Sequence, residues 1–391
     1  MKVLHLEERF HPGMGYQINF FARYHQSDSE FSILTSDSAR LWTASGDHEN
    51  LKRVDEEFER EFNVNIYRLP SVLDRRTRHN LWLKGLNRTI REINPDILFV
   101  HAIESYSSFR VLLSRRILSR YSIFFDTHAL QNQLKKGVKL KIQLWFLKTI
   151  ASKRIVQYNA KVFATVHENR MILENEYGIP SDRILFSHIG TDLRLFRYDQ
   201  DSRISLRQEE KLEEDTCVLL YTGKINHRKN PHMILEAVSM IQQQINTPLY
   251  LYFVGAYDQV YFDEKMQINF TSENIYVKFV PAVPVSELHH WYSMADFAVF
   301  PMENTLSALD AQACSLPVIM QKDMTNSERL ARGGLTFDQG DLKELSDKIL
   351  TMIQHPEQRK KMGMEGEKFI KATYDYSKIV KNMEADLGLV E

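Results

Sequence analysis

Short apolar runs alternate with longer amphipathic segments along this chain, and the whole alternation occurs twice. The first series comprises residues 1–6, 30–34, 64–68, 97–100, 122–125, 161–164 and 184–187, and the second comprises residues 218–221, 249–254, 275–280, 297–300 and 318–320. Continuous apolar runs of this length predict strands that are buried on both faces, and the segments between them predict helices that cover a parallel sheet. The sequence therefore predicts an α/β fold with two doubly wound parallel sheets in series.

The length of the chain agrees with two domains, because 391 residues exceed what one hydrophobic core normally organises. We expect domains at residues 1–200 and 201–365, and a C-terminal helical segment at residues 366–391. Residues 192–214 are polar and rich in charge, which favours an interdomain linker. The hydrophobic content of 43% is that of a globular protein and excludes a disordered chain.

Composition also predicts where the protein works. No apolar run approaches the ~20 residues that span a bilayer, and the N-terminal ten residues become charged too early for a signal peptide. Cys217 and Cys314 lie in apolar surroundings without the spacing of a metal motif. We therefore expect a cytoplasmic protein.

Charge is unevenly distributed although the net charge is −1. Residues 1–200 hold 30 Lys and Arg against 23 Asp and Glu, and residues 68–154 hold 18 against 5. Apolar side chains such as Trp82 and Trp145 interrupt this basic stretch, which predicts contact with an anionic membrane surface or a phosphate-bearing partner. Solvated helix faces give the same pattern. No nucleic-acid motif accompanies the charge, so we expect no nucleic-acid partner.

Ligands of parallel sheets bind beyond the carboxyl ends of the strands. This rule places Gly13, Lys224, Gly255, Pro281 and Glu303 at binding edges. Two such domains facing each other predict one cleft between them.

The segment at residues 295–320 combines a strand, a short loop with Glu303 and an amphipathic helix. Asn304 or Thr305 can cap this helix, and Asp310 lies on it. Backbone N–H groups at such a helix start suit an anion, although an ordinary strand-to-helix connection looks the same. The predicted apolar face of the helix contains Leu306, Leu309, Ala313 and Cys314.

Gly13, Met14 and Gly15 follow the first strand directly. Glycines there let a ligand phosphate or a transferred group approach the backbone. The spacing is not that of a dinucleotide fingerprint, because position 18 is Ile18.

Gly223 and Lys224, with Lys229 five residues further on, follow the first strand of the second series. Two cations at that position can neutralise a diphosphate leaving group. The spacing of a Walker A loop is absent, and solvated lysines in a turn would look alike.

His128 ends a strand in the first domain and is a candidate for contact with a transferred group or for proton transfer. His101 occupies a similar position, and both also fit structural roles. No His, Asp or Glu grouping has the spacing of a known zinc motif, so the sequence predicts no metal and no cofactor.

These positions, in this order, resemble the retaining glycosyltransferases of family 4, which have the GT-B fold of two Rossmann-like domains. The likeness rests on the loop at residues 11–15, on His128, on the passage at residues 166–196, and on Gly223, Lys224 and Lys229. It ends with Glu303 and Asp310 in the segment before Pro317 and Val318. Six residues separate the two acids where the family usually has seven, and Ser315 replaces a usual glycine.

The resemblance implies a role for each of these residues. Lys224 and Lys229 would clamp the donor diphosphate, Glu303 would bind the sugar hydroxyls, Asp310 would bind the ribose, and His128 would lie near the sugar. The remaining donor-binding candidates are Gly13, Met14, Gly15, Gly223, Gly255, Pro281, Asn304, Thr305 and Leu306. The first domain would face the acceptor, and residues 366–391 would cross back to it, as in relatives.

The implied reaction is metal-independent transfer of a hexosyl group from a nucleotide diphospho-sugar to a hydroxyl acceptor, with retention of configuration. The basic face at residues 68–154 favours a lipid-linked or surface-glycan acceptor and a peripheral position at the inner membrane. Two alternatives remain open: a non-catalytic sugar-nucleotide-binding partner of another transferase, and a sugar-nucleotide epimerase of the same build.

Overall fold

The computed structural model describes residues 1–38, 48–73, 81–131, 134, 137–213, 215–302 and 305–390. The chain forms two compact units: unit 1 consists of Met1–Ile189 and Tyr376–Glu391, and unit 2 consists of Gly190–Asp375. The sequence placed domain boundaries after residues 200 and 365, whereas the units change after residues 189 and 375.

Strands and helices alternate through most of the chain. The strands are β1 Lys2–Leu6, β2 Glu30–Ser36, β3 Val64–Leu69, β4 Ser71–Leu73, β5 Leu81–Leu83, β6 Ile97–Val100, β7 Ser122–Thr127, β8 Lys161–Ala164, β9 Ile184–Phe186, β10 Cys217–Thr222, β11 Leu249–Val254, β12 Ile275–Val280, β13 Phe297–Phe300, β14 Val318–Gln321 and β15 Gly334–Phe337. The helices are α1 Gln17–Tyr24, α2 His48–Phe62, α3 Leu86–Ile93, α4 Tyr106–Leu113, α5 Arg115–Leu118, α6 Val138–Phe146, α7 Ser152–Gln157, α8 His167–Asn175, α9 Gln200–Glu209, α10 His232–Ile241, α11 Gln259–Lys265, α12 Leu288–Met294, α13 Ser307–Ala313, α14 Met324–Leu330, α15 Leu342–Gln354, α16 Pro356–Thr373 and α17 Tyr376–Asp386.

Each unit is built on one parallel sheet. The order in unit 1 is β3-β2-β1-β6-β7-β8-β9, and the order in unit 2 is β12-β11-β10-β13-β14-β15. The central strands β6 and β10 are buried along their whole length, as expected for parallel strands covered by helices on both faces. Two doubly wound parallel sheets confirm the predicted fold class, and every predicted strand overlaps an observed one.

The prediction of a linker at residues 192–214 is wrong, because this segment contains helix α9 and belongs to unit 2. Asp199 caps its N-terminus by accepting hydrogen bonds from the backbone N–H groups of Asp201 and Ser202, at 3.0 and 3.3 Å. Arg203 donates to three carbonyl groups at the end of α12 and pairs with Asp296 at 2.8 Å. The polar residues of this segment therefore form hydrogen bonds and an ion pair within unit 2. A polar composition was not sufficient evidence for a linker.

Helix α17 completes the core of unit 1 although it follows unit 2 in the chain. Ile379, Val380 and Met383 are buried in the same cluster as Phe21, and the rings of Phe20 and Tyr376 stack with centroids 4.1 Å apart. The helix thus belongs to the packing of the N-terminal sheet.

A buried ion pair fixes α17 beside α1. His25 Nδ1 lies 2.5 Å from Glu384 Oε1, and these side chains are 12% and 1% exposed. His25 Nε2 lies 2.9 Å from the carbonyl oxygen of Ser29, so both ring nitrogens face acceptors. Burial lowers the pKa of His25, but the bonds to Glu384 and Ser29 outweigh burial and raise it.

Replacing Glu384 with alanine should reduce the free energy of unfolding of unit 1 by ~3–5 kcal/mol, because it leaves a buried imidazolium without its partner. Since the folded-state pKa of His25 is raised, the pair stabilises fully below the unfolded-state value of 6.5 and loses its effect as the pH rises through the folded-state pKa. Urea unfolding followed by circular dichroism at about pH 6 and about pH 9 measures this difference.

The matched control is Lys381→Ala, which removes an exposed side chain from the same helix and should change the unfolding free energy by less than ~0.5 kcal/mol. A cost of Glu384→Ala that is equal at both pH values would assign the effect to packing instead of to the ion pair.

Candidate functional site

The winding of the unit-2 sheet reverses at β10. Strands β11 and β12 lie on one side of β10, and β13 to β15 lie on the other, so the carboxyl ends of β10 and β13 flank the reversal. Doubly wound sheets bind ligands at this point. We call residues 223–230, 255–258, 301–302 and 305–306 the unit-2 edge. Pro281 follows the outermost strand, β12, and is exposed.

Two glycines set the spacing of the unit-2 edge. The N–H of Gly223 donates to the carbonyl of Val254 at 3.0 Å, and a Cβ atom built on Gly255 would lie 2.0 Å from the carbonyl oxygen of Gly223. Their φ angles are 139° and 155°, a backbone region that side chains disfavour. The contact between the loops after β10 and β11 therefore requires glycine independently of any ligand.

The loop after β10 is a hydrogen-bonded turn that carries both predicted lysines. Asn226 Oδ1 accepts from the backbone N–H groups of Arg228 and Lys229, at 3.1 and 3.2 Å. Lys224 is exposed and Lys229 is half-buried. Asn230 Nδ2 donates to the sulfur of Met302 at 2.6 Å, which brings this loop against the segment that follows β13.

The segment after β13 is described only in part, since Glu303 and Asn304 lie outside the described residues. Thr305 Oγ1 accepts from the backbone N–H of Ser307 at 3.3 Å, so Thr305 contributes to the start of α13, with Leu306 at the N-cap position. Leu306 was predicted on the apolar helix face, but it precedes the helix and is 37% exposed. Leu309, Ala313 and Cys314 are buried as predicted.

Asp310 has a partner that the sequence did not reveal. Thr191 Oγ1 donates to Asp310 Oδ1 at 2.6 Å, across 119 positions of chain. Burial raises the pKa of Asp310 to about 7, and the Thr191 hydrogen bond opposes this only in part. Near neutral pH, Asp310 can therefore accept a hydrogen bond from a hydroxyl group when it is ionised, or donate one when it is protonated. Nothing in the sequence around Thr191 indicates Asp310 as its partner.

In unit 1 the sheet reverses at β1, between β2 and β6. The loop after β1 carries Gly13, Met14 and Gly15, and Asn19 holds it by donating to the carbonyls of His11 and Pro12 at 3.1 and 3.0 Å. A Cβ atom on Gly13 or Gly15 would make only ordinary contacts, at 3.4 and 3.9 Å. The packing around Gly13 and Gly15 therefore does not require glycine, unlike the packing around Gly255, and both residues are exposed.

A chain of buried groups lies behind His128. Asp126, which is 1% exposed, lies 3.7 Å from His128 Nε2 and 2.6 Å from His101 Nδ1. His101 in turn contacts His5 Nδ1 through Nε2 at 3.1 Å. His101 is 3% exposed whereas the His128 side chain is 40% exposed, so His128 is the member of this chain that a ligand can reach.

The pKa values of these groups shift in different directions. Burial would raise the pKa of Asp126, but His101 and His128 hold it well below its usual range. Burial lowers the pKa of His128, yet the carboxylate of Asp126 outweighs burial and raises it. Burial and the neighbouring His101 lower the pKa of His5 far below the ordinary value. Sequence reasoning identified His128 as a candidate but did not identify Asp126, the carboxylate that raises the pKa of His128.

Asp126 also shapes the neighbouring loop. Its Oδ1 accepts from the backbone N–H of Ala102 at 2.6 Å, and Ala102 has a φ angle of 58°, a strained conformation for a residue with a side chain. Next to it, Glu104 accepts hydrogen bonds from Thr127 and Tyr177 at 2.6 and 2.8 Å. Burial raises the pKa of Glu104. Two carboxylates and two imidazoles thus gather where β6 and β7 end.

Comparison with known proteins finds a match in the second half of the chain. The model of the family described as glycosyl transferases group 1 matches residues 202–369. We call these residues the group 1 segment. The group 1 segment contains Gly223, Lys224, Lys229, Gly255, Pro281 and Asp310, together with the rest of the unit-2 edge. Gly13, Met14, Gly15 and His128 lie outside it.

Relatives of the chain are glycosyltransferases by name. The chain is 25% identical over 218 residues to D-inositol 3-phosphate glycosyltransferase of Thermobifida fusca. The aligned region covers 53% of this chain and 50% of that protein. The chain thus spans about half the length of the curated relatives that it matches.

Solved structures give the fold of the whole chain. Sucrose-phosphate synthase of Thermosynechococcus elongatus superposes with a TM-score of 0.71 at 16% identity, over 98% of this chain and 97% of that one. HepE of Anabaena in complex with UDP superposes with a TM-score of 0.72 at 14% identity, over 100% of both chains. The group 1 segment is therefore part of a GT-B fold.

Replacing Asp126 with asparagine should lower the pKa of His128, because the carboxylate is the largest influence that raises it. The titration of the His128 imidazole, followed by NMR in the purified chain, measures this change. Glu104→Gln is the control, since Glu104 acts on the same imidazole more weakly and should lower its pKa less. If Asp126→Asn leaves the titration of His128 where it was, Asp126 does not hold the charge of His128.

Proposed function

We propose that this protein is a retaining glycosyltransferase of family 4 that transfers a hexosyl group from a nucleotide diphospho-sugar to a hydroxyl acceptor, without a metal ion in the transfer step. One observation carries the proposal: within the group 1 segment, the lysine loop after β10 packs against the segment after β13 at the reversal of the sheet. HepE, which has the same fold, was solved with UDP and with UDP-glucose. This supports a UDP-sugar as the first donor to test.

The lysines would act on the leaving group. Charge develops on the diphosphate as the bond to the sugar breaks, and cations that are already in position stabilise that charge without reorganisation. Lys224 and Lys229 stand on a turn held by Asn226, so their backbone is fixed before the donor arrives. Gly223 and Gly255 keep side chains away from the same backbone.

The other donor contacts follow from the loops after β12 and β13. We assign the sugar hydroxyls to Glu303 and the backbone of Asn304, Thr305 and Leu306, and the ribose hydroxyls to Asp310. Asp310 already accepts one hydroxyl hydrogen bond, from Thr191, so a ribose hydroxyl would use its second carboxyl oxygen. Pro281 would lie beside the nucleotide base. To His128, whose pKa Asp126 raises, we assign contact with the transferred group, and to Gly13, Met14 and Gly15 we assign contact with the donor.

Lys229→Ala should lower the hydrolysis rate of UDP-glucose in the absence of an acceptor by ~10²–10³-fold, since removing one preorganised donor at the charge that develops costs that much. Release of UDP is the measured quantity. Lys343→Ala is the matched control, because Lys343 is 77% exposed on α15 and is not one of the residues of the unit-2 edge. Equal rates for Lys229→Ala and the wild type would refute the role of this lysine.

The same assay separates the two alternatives. A non-catalytic partner would be stabilised by UDP, by about 2.7 kcal/mol at 100 times its dissociation constant, but would release none from UDP-glucose. An epimerase would yield an isomeric sugar. GDP- and ADP-sugars in the same panel identify the base.

The acceptor side of the proposal rests on an exposed face of unit 1. Val138, Ile142 and Trp145 are 74%, 62% and 59% exposed on α6, and positions three and four apart share one helix face. A π-helical turn, Leu147–Ala151, joins α6 to α7, and Lys141 and Lys148 are exposed beside the apolar side chains. Apolar and basic side chains on one helix face favour an anionic membrane surface.

A lipid-linked or surface-glycan acceptor would present its hydroxyl at such a surface. Within the described residues, no helix combines the length and the apolar character that crossing a membrane requires. The proposed contact is therefore peripheral, through α6 and the basic residues around it.

In liposome flotation, the chain should rise with vesicles of anionic phospholipid and remain at the bottom with neutral ones, because the basic residues add ~1 kcal/mol each only on an anionic surface. The double variant Ile142→Ser and Trp145→Ser should lose most of this binding. Val260→Ser, which removes a side chain that is 63% exposed in unit 2, should float like the wild type. Equal flotation with both lipids would contradict the proposed membrane contact and would mean that the exposed face of α6 is only solvated.

A further inference from the structure

Two adjacent histidines and one aspartate meet where α9 and α12 begin. One ring nitrogen of His289, one of His290 and one carboxylate oxygen of Asp199 lie within 4.8 Å of one another, and all three side chains are half-buried. Asp199 is the N-cap residue of α9, and the histidines lie in the first turn of α12. The set therefore combines two helices that are far apart in sequence.

Hydrogen bonds decide which ring nitrogen carries the proton in each neutral imidazole. His289 Nδ1 lies 2.8 Å from the carbonyl oxygen of Ser286, which can only accept, so the ring proton is on Nδ1 and the lone pair is on Nε2. Ser202 Oγ lies 2.7 Å from Asp199 Oδ2 and 2.6 Å from His290 Nδ1. Because the serine has one proton and donates it to the carboxylate, His290 Nδ1 is the donor to Ser202, and its Nε2 also keeps a lone pair.

Such bonds are what metal-binding histidines use to orient their rings. The two imidazole rings lie with their centroids 3.8 Å apart. A metal ion binds the nitrogen of a neutral imidazole that carries no proton, and in both rings that nitrogen is Nε2.

We propose that Asp199, His289 and His290 bind a divalent transition-metal ion of the zinc class. Imidazole and carboxylate ligands suit Zn²⁺ and its neighbours better than Mg²⁺ or Ca²⁺, which prefer oxygen alone. Three protein ligands would leave the remaining positions to water, since the site is half-exposed. Sequence spacing predicted no metal, but a set assembled from residues 199 and 289–290 has no local motif to detect.

The position of the site indicates a structural role. Arg203 already joins α9 to the far end of α12, through the carbonyls of Ser293, Met294 and Ala295. A metal ion at Asp199, His289 and His290 would join the same two helices at their starts. None of the three ligands belongs to the unit-2 edge, so the site does not depend on the proposed function.

Calorimetric titration of the full-length, untagged and EDTA-treated chain with ZnCl₂ tests the proposal. We expect one Zn²⁺ per chain and a higher melting temperature in its presence. Asp199→Asn should weaken Zn²⁺ binding by at least ~10-fold and preserve folding, because asparagine caps a helix as well as aspartate does. His290→Gln should weaken binding similarly, and Ser202→Ala, which removes the group that orients His290, by ~10–100-fold.

The matched control is His355→Gln, since His355 is exposed and distant in sequence, and it should bind Zn²⁺ like the wild type. Replacement of Zn²⁺ by Co²⁺ should give visible absorption bands that Asp199→Asn loses. The proposal is overturned if the wild type binds no Zn²⁺, or if Asp199→Asn and His290→Gln bind it with the affinity of the wild type.

Discussion

Parallel pairing of strands is the constraint on which the rest of this structure depends. In each unit the chain winds outward from one strand, β1 or β10, in both directions, and the ends of the parallel strands that share one polarity then lie along one edge. Loops that are remote in sequence become neighbours there, as Asn230 and Met302 show. The candidates Lys224 and His128 lie at these edges, where each follows the end of a strand.

Asp126 and Asp310 illustrate how differently the two units surround a carboxylate. Asp126 is surrounded by imidazoles and a backbone N–H group, so its charge is compensated and imposes order on the loop around Ala102. Asp310 has a hydroxyl from Thr191 and the like charge of Asp192 nearby, so its charge is poorly compensated. Asp126 thus orders the groups around it, whereas Asp310 can still accept a hydrogen bond from a further partner.

Buried strands could be predicted because helices on both faces favour apolar side chains, and β6 and β10 are buried throughout. Strand β15 escaped prediction because it begins at Gly334, where a Cβ atom would lie 1.8 Å from the carbonyl of Val318; packing between strands required a residue that normally indicates a loop. Helix α9 escaped because none of its residues is fully buried and its polar partners are carbonyl groups and Asp296. Of the candidate site, the sequence indicated strand-end residues such as Lys224, and it missed Asp126 and Thr191, whose significance lies in contacts made over long chain separations.

The position of α17 affects how the protein is made. During synthesis, β1 to β9 emerge before unit 2, yet the cluster formed by Phe21, Phe31 and Phe99 is covered in part by Ile379 and Val380. Unit 1 must therefore wait, with apolar surface uncovered, until the ribosome has translated the whole of unit 2. The unit that emerges first is the last to be completed, which leaves apolar surface of its sheet open to wrong association for the longest time.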